Sequence, residues 1–240
     1  MFAALGHVVM KPFMLLWLYT SPRSWRGLPI PESGSPIVVG GPDPLKVLVS
    51  GSGIVVGYGV ASNALALGGS LARSIASLTG RGVEVATLAC PRMTTTMAKS
   101  RLTPEALKGL DAVVLSLGTF DLLCFLPSRR WGRGMSELVD SVLANAEPNT
   151  QLFIVNCTAP KMSHFIGAYR HHLLRLTTAY NGEIEKLTHR QDRVHQIHFA
   201  PQPQDAEAVQ GRESYRVWAE QIAPDIAQGL QGRPHPRGDV

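Results

Sequence analysis

Residues 46–59 read KVLVSGSGIVVGYG, and this stretch decides the fold. The apolar residues 47–49 run into a turn of Gly51, Ser52 and Gly53, and a second apolar stretch follows with Gly57 and Gly59. An apolar strand that enters a glycine-rich turn and continues toward a helix is the repeating unit of α/β proteins. Their nucleophiles and phosphate sites sit at that turn. Here the turn looks catalytic, but the position where an attacking side chain would stand is Gly53.

Outward from the turn, strand-like and helix-like segments alternate. Residues 61–78 carry apolar side chains at helical spacing (Leu65, Leu67, Leu71, Ile75, Leu78) and stop at Gly80, a helix-ending residue. Residues 83–88 form a second strand. Thr103 before Pro104 caps a helix. Residues 110–117, LDAVVLSL, are apolar throughout, as a central parallel strand requires. A helix over 136–143, a strand over 151–157, a helix over 168–187, a short strand over 195–200 and a helix over 213–228 containing Pro224 complete the series. This alternation predicts a flavodoxin-like three-layer α/β/α sandwich around a five-stranded parallel sheet. Ligands bind such sheets at the carboxyl ends of the strands. The loops of interest are therefore 51–53, 90–94, 118–121, 158–165 and 202–214.

Composition bounds the partners. With 240 residues, 45% hydrophobic and 17% charged, the chain can bury one sizeable core. The expected organisation is an apolar extension over 1–26, a Pro/Gly-rich linker over 27–45, one domain over 46–230 and a disordered tail over 231–240. The net charge of +5 mildly favours anionic partners. No RNA-binding or zinc-finger signature is present, so nucleic acid is not an expected partner. Cys90, Cys124 and Cys157 make no disulfide framework, and no metal-ligand spacing occurs. The glycines do not follow the dinucleotide spacing and no acidic residue closes the second strand, so no cofactor is expected, although Arg92 in that place would suit a 2′-phosphate.

Residues 1–20 are apolar but interrupted by His7, Lys11 and Pro12, without the early positive region of a signal peptide. They are expected to form a helix that packs on the domain or lies at a membrane surface, with an intramembrane anchor as the other reading. The expected location is cytoplasmic or peripheral to a membrane. Two basic stretches stand out, Arg129, Arg130 and Arg133 around Trp131 in a loop, and Arg170, His171, His172 and Arg175 on a helix. A solvated face is the ordinary explanation of both. Anionic lipid contact follows if the N-terminal helix touches a membrane.

Taken together, the loops resemble the SGNH (GDSL-type) hydrolase family over residues 45–230. Gly51-Ser52-Gly53 with Gly57 and Gly59 matches its Gly-Asp-Ser turn and helix start, and Gly118-Thr119-Phe120-Asp121 matches its Gly-x-Asn-Asp block. Residues 127–131, PSRRW, resemble a Ser-Pro-Arg-Arg-Trp stretch of actinobacterial members. Tyr215, Trp218 and Ala219 match the helix after the family's histidine. The resemblance implies the fold of an esterase or acyltransferase acting on acyl esters. It also places the family's active positions on the wrong residues. The nucleophilic serine falls on Gly53, the aspartate before it on Ser52 and the oxyanion glycine near Arg92. The oxyanion asparagine falls on Phe120, the histidine on Val209 and the triad aspartate on Ala206, one residue from Asp205. Glycine cannot attack, valine cannot take a proton and phenylalanine cannot donate to an oxyanion. The expectation is a pseudoenzyme. Gly51, Ser52, Gly53, Arg92 and Phe120 would hold an acyl or lipid-like ligand in space that Gly53 opens, or the chain would partner a lipid- or envelope-modifying enzyme. The alternative is a divergent esterase or acyltransferase using Ser52 with His164 or His198 as base and Asp121 or Asp205 to orient it.

Overall fold

A computed structural model describes residues 12–16, 20, 28–32, 34–159, 167–200 and 211–231. The strands are β1 (Ile37–Val39), β2 (Leu45–Gly51), β3 (Val83–Ala89), β4 (Ala112–Ser116), β5 (Gln151–Val155) and β6 (Val194–Ile197). The helices are α1 (Leu67–Thr79), α2 (Thr95–Arg101), α3 (Pro104–Leu107), α4 (Thr119–Leu123), α5 (Ser128–Asn145), α6 (Gly167–Thr188) and α7 (Arg212–Leu230). A 3-10 turn at Gly53–Val55 follows β2.

The sheet runs β1-β3-β2-β4-β5-β6. From β3 to β6 all pairings are parallel, as expected. The count of five strands needs a correction. The stretch read as a linker contains β1, which adds a sixth strand antiparallel to β3, pairing Val38 with Glu84. Its three residues are β-branched and their prolines lie outside the strand, so local propensity permits an edge strand there.

Alternation along each strand builds two cores. Leu48, Val113, Leu115, Leu152 and Ile154 face a layer containing α2, α5 and α6. Val47, Val49, Ala112, Val114, Phe153 and Val155 face α1 and α7. This period of two puts successive side chains on opposite faces, which is why the central strands are apolar throughout. Met14, in the helical residues 12–16, is buried in the first core.

Two local expectations change. The helix after the turn begins at Leu67, not at residue 61. Asn63 interrupts it: its carbonyl accepts from Ala66 and Gly69 N–H at 3.2 and 3.1 Å, and its side chain donates to the Glu32 carbonyl at 3.2 Å. Such short polar residues compete with helix for backbone partners. Residues 128–131 are the first turn of α5 rather than a loop, with Pro127 just outside it. The last helix continues through Pro224.

Candidate functional site

The chain passes from β2 to β3 on one side and then to β4 on the other, so the sheet order reverses between β2 and β4. Crevices at such points hold the ligands of open α/β sheets. In register, Gly51 pairs with Ser116, and the Ser52 N–H donates to the Ser116 carbonyl at 2.9 Å. A Cβ on Gly51 would overlap the Ser116 carbonyl, so the two strand ends approach as closely as they do only because residue 51 is glycine. The Cys90 N–H donates to the Gly51 carbonyl at 3.1 Å from the β3 side, and the Tyr215 hydroxyl of α7 donates to the Tyr58 carbonyl at 2.9 Å. Burial pushes the Tyr58 phenol up to about 12, with the neighbouring Cys90 adding to it, so it stays a neutral hydroxyl.

Gly53 has φ +64, a left-handed conformation that disfavours any residue with a side chain. A Cβ there would lie 2.7 Å from Thr119 Oγ1. The open space expected over Gly53 is therefore corrected: the first residue of α4 fills it, because the close pairing of β2 with β4 brings their following turns together.

Ser52 is wholly buried and its Oγ has no hydrogen-bond partner among the described residues. No histidine among them is bonded to it, and its burial withholds it from a substrate. Gly51 and Ser52 thus shape the turn from inside. Arg92 is exposed on the loop after β3 and engaged in an interaction there, and Phe120 is half-buried on α4. His198 is exposed just past β6. His164, Asp205, Ala206 and Val209 lie outside the described residues. Among those described, no group of three metal-binding side chains occurs.

Behind the turn lies a cluster that sequence reasoning did not assemble. Gly118, at φ +111, leaves room for Cys157, whose Sγ a Cβ would meet at 2.5 Å. Asn181 on α6 clamps the Cys157 backbone, accepting from its N–H at 2.8 Å and donating to its carbonyl at 3.0 Å. The Trp131 ring stacks on Tyr180 with centroids 4.2 Å apart, and the Tyr180 hydroxyl donates to the Leu126 carbonyl at 2.7 Å. Asp121 is 3% exposed, and burial pushes its carboxyl up to about 7. The Trp131 indole N–H offsets part of that rise, yet the pair falls short of hydrogen-bond geometry: Asp121 Oδ2 and Trp131 Nε1 both lack a hydrogen-bond partner among the described residues. Burial, followed by the nearby Asp121 charge, also raises the Cys157 thiol and the Tyr180 phenol, so both stay protonated. The sequence signals were Gly118 and Asp121 in one block, Trp131 in the PSRRW stretch and the apolar setting of Cys157. None of them announces its long-range neighbours.

No protein-family model and no curated protein matches the chain. Solved structures do. "Crystal Structure of TesA" is similar with a TM-score of 0.60 and 14% identity, over 77% of this chain and 99% of that one. A psychrotrophic esterase EstA from Pseudoalteromonas sp. is similar with a TM-score of 0.59 and 14% identity, over 78% and 99%. A member of the lipolytic protein G-D-S-L family from Veillonella parvula is similar with a TM-score of 0.56 and 15% identity, over 74% and 95%. At such identities the shared property is architecture. The chain has the SGNH hydrolase-like fold.

Proposed function

We propose that this chain is a non-catalytic protein built on the SGNH hydrolase-like fold, which acts by contact: it partners a lipid- or envelope-modifying enzyme or holds an acyl or lipid-like group. One observation carries the reading. The place that would carry a nucleophile's side chain is Gly53, and Thr119 Oγ1 stands 2.7 Å from where its Cβ would be. Acyl transfer needs an attacking group, a base within hydrogen-bond reach and donors aimed at the oxyanion. The nearest hydroxyl along the chain, Ser52, is buried without a hydrogen-bond partner among the described residues. The occupied space at Gly53 favours the partnering role over a deep acyl pocket at this turn. A surface-held acyl group would instead lie against the half-buried Phe120.

The test is labelling of the full chain with a fluorophosphonate probe, beside a serine hydrolase of the same fold. The expected result is no labelling while circular dichroism reports an intact fold. Stoichiometric labelling that disappears in Ser52→Ala would overturn the proposal and establish the esterase alternative.

A further inference from the structure

We infer that the basic surface of α5 and of the first turns of α6, aided by the exposed apolar side chains of the helical residues 12–16, docks on an anionic lipid bilayer. The inference does not depend on the chemistry at Gly53. Sequence and packing place the cations together. Residues 122–136 hold no acidic residue and carry the cations Arg129, Arg130 and Arg133; residues 167–182 hold none either and carry Arg170 and Arg175, with His171 and His172 between. The two stretches meet in space. The Phe125 ring, just before α5, lies 6.1 Å from Tyr169 and 5.4 Å from His172, while Trp131 stacks on Tyr180, so the approach to α5 meets the first turns of α6 and the start of α5 packs against the middle of α6, where Glu183, ion-paired to Lys186, borders Gly132.

All five arginines and His171 are exposed, and none forms an ion pair among the described residues. Arg129 and Arg130 occupy the first turn of an 18-residue helix that has no acidic residue there. A helix N-terminus disfavours cations and attracts anions. The arrangement is thus poor for the isolated helix and good for an anionic partner.

Apolar exposure selects lipid among anionic partners. Leu174, 46% exposed, sits on α6 between Arg170 and Arg175. Phe13 and Leu16 are 60% and 59% exposed, while Met14 between them is buried in the same core as α5 and α6. One turn thus anchors into the domain and presents two large apolar side chains outward. Arginines with interspersed apolar groups match a headgroup layer, where charge meets phosphate and apolar tips enter the acyl boundary. Two large exposed apolar side chains suit the acyl boundary of a bilayer better than a phosphate backbone or a carboxylate surface. Among the described residues no helix is long and apolar enough to cross a membrane.

The experiment is co-sedimentation of the full chain with phosphatidylcholine vesicles and with phosphatidylcholine–phosphatidylglycerol vesicles. The expected result is at least about tenfold stronger binding to the anionic vesicles, weakened at about 0.5 M salt by screening. Arg129→Gln/Arg130→Gln/Arg133→Gln is expected to weaken anionic-vesicle binding by on the order of 100-fold. Phe13→Ser/Leu16→Ser is expected to remove the part that survives salt. Circular dichroism checks the fold. If the triple variant misfolds, Arg170→Gln/Arg175→Gln on α6 reads the same surface. Equal binding to both vesicle types, no binding to either, wild-type binding by folded variants, or preferential capture by duplex DNA in competition overturns the inference.

Discussion

Thr119 Oγ1 lies 2.7 Å from the position a Cβ on Gly53 would take, so residues 66 positions apart in sequence compete for one volume. Restoring a serine at 53 therefore meets two costs, the left-handed φ of +64 and the overlap with a stiff β-branched side chain. Gly53→Ser is expected to lose about 2–3 kcal/mol of stability. Adding Thr119→Ala should return the overlap part and leave the backbone part. Urea denaturation of both variants checks this; equal stability of single and double variants would show that Thr119 does not oppose the side chain.

Ser52 gives the opposite expectation. Its hydroxyl is buried without a partner among the described residues, so it contributes desolvation cost and no compensating bond. Ser52→Ala should leave stability within about 1 kcal/mol of wild type or raise it. A loss well beyond that in thermal unfolding would mean that the hydroxyl holds the turn.

Tyr215 ties the last helix to the segment after the turn through its hydroxyl and the Tyr58 carbonyl, 2.9 Å apart. Burial raises the Tyr215 phenol well above its ordinary range, so it remains a donor at any working pH. Tyr215→Phe keeps the ring packing against Trp218 and strands a buried carbonyl, at a cost of about 1–3 kcal/mol. Faster hydrogen exchange in the 53–60 segment is the accompanying readout.

Asp121 makes stability depend on pH. Its carboxyl is raised from 3.8 to about 7, so between those values the unfolded chain ionises while the folded one keeps the proton. The unfolded state then binds fewer protons, and stability falls as pH rises through that window. Below it the group contributes nothing; above pH 7 it opposes folding by at most ~4 kcal/mol. Asp121→Asn should remove this slope. Denaturant midpoints of wild type and variant at pH 5 and pH 8 check it, and an unchanged difference between the two proteins at both pH values would refute it.

The architecture was legible because it rests on local and periodic signals. Alternating apolar runs marked β2 to β6, and the glycines marked the turns. The strand β1 was missed because three β-branched residues among prolines carry too little period to separate strand from linker. The start of α1 was missed because Asn63 takes its partners from Glu32 and Gly69, a choice that propensity does not encode. At the site, glycine at 53 and phenylalanine at 120 were readable as missing chemistry.

What the sequence by itself determined is therefore the layer order, the carboxyl-end location of the site and the absence of a side chain at Gly53. Chain connectivity and a period of two are enough for these. Only the tertiary structure decided that the space at Gly53 is filled, that Ser52 points into protein and that Asp121 shares a buried cluster with Trp131, Cys157 and Tyr180. Each depends on the pairing of β2 with β4 and the packing of α5 on α6, which bring together side chains tens of residues apart and remove their water. Occupancy, burial and the resulting proton affinities are properties of that shared volume, and a linear order of residues does not specify it.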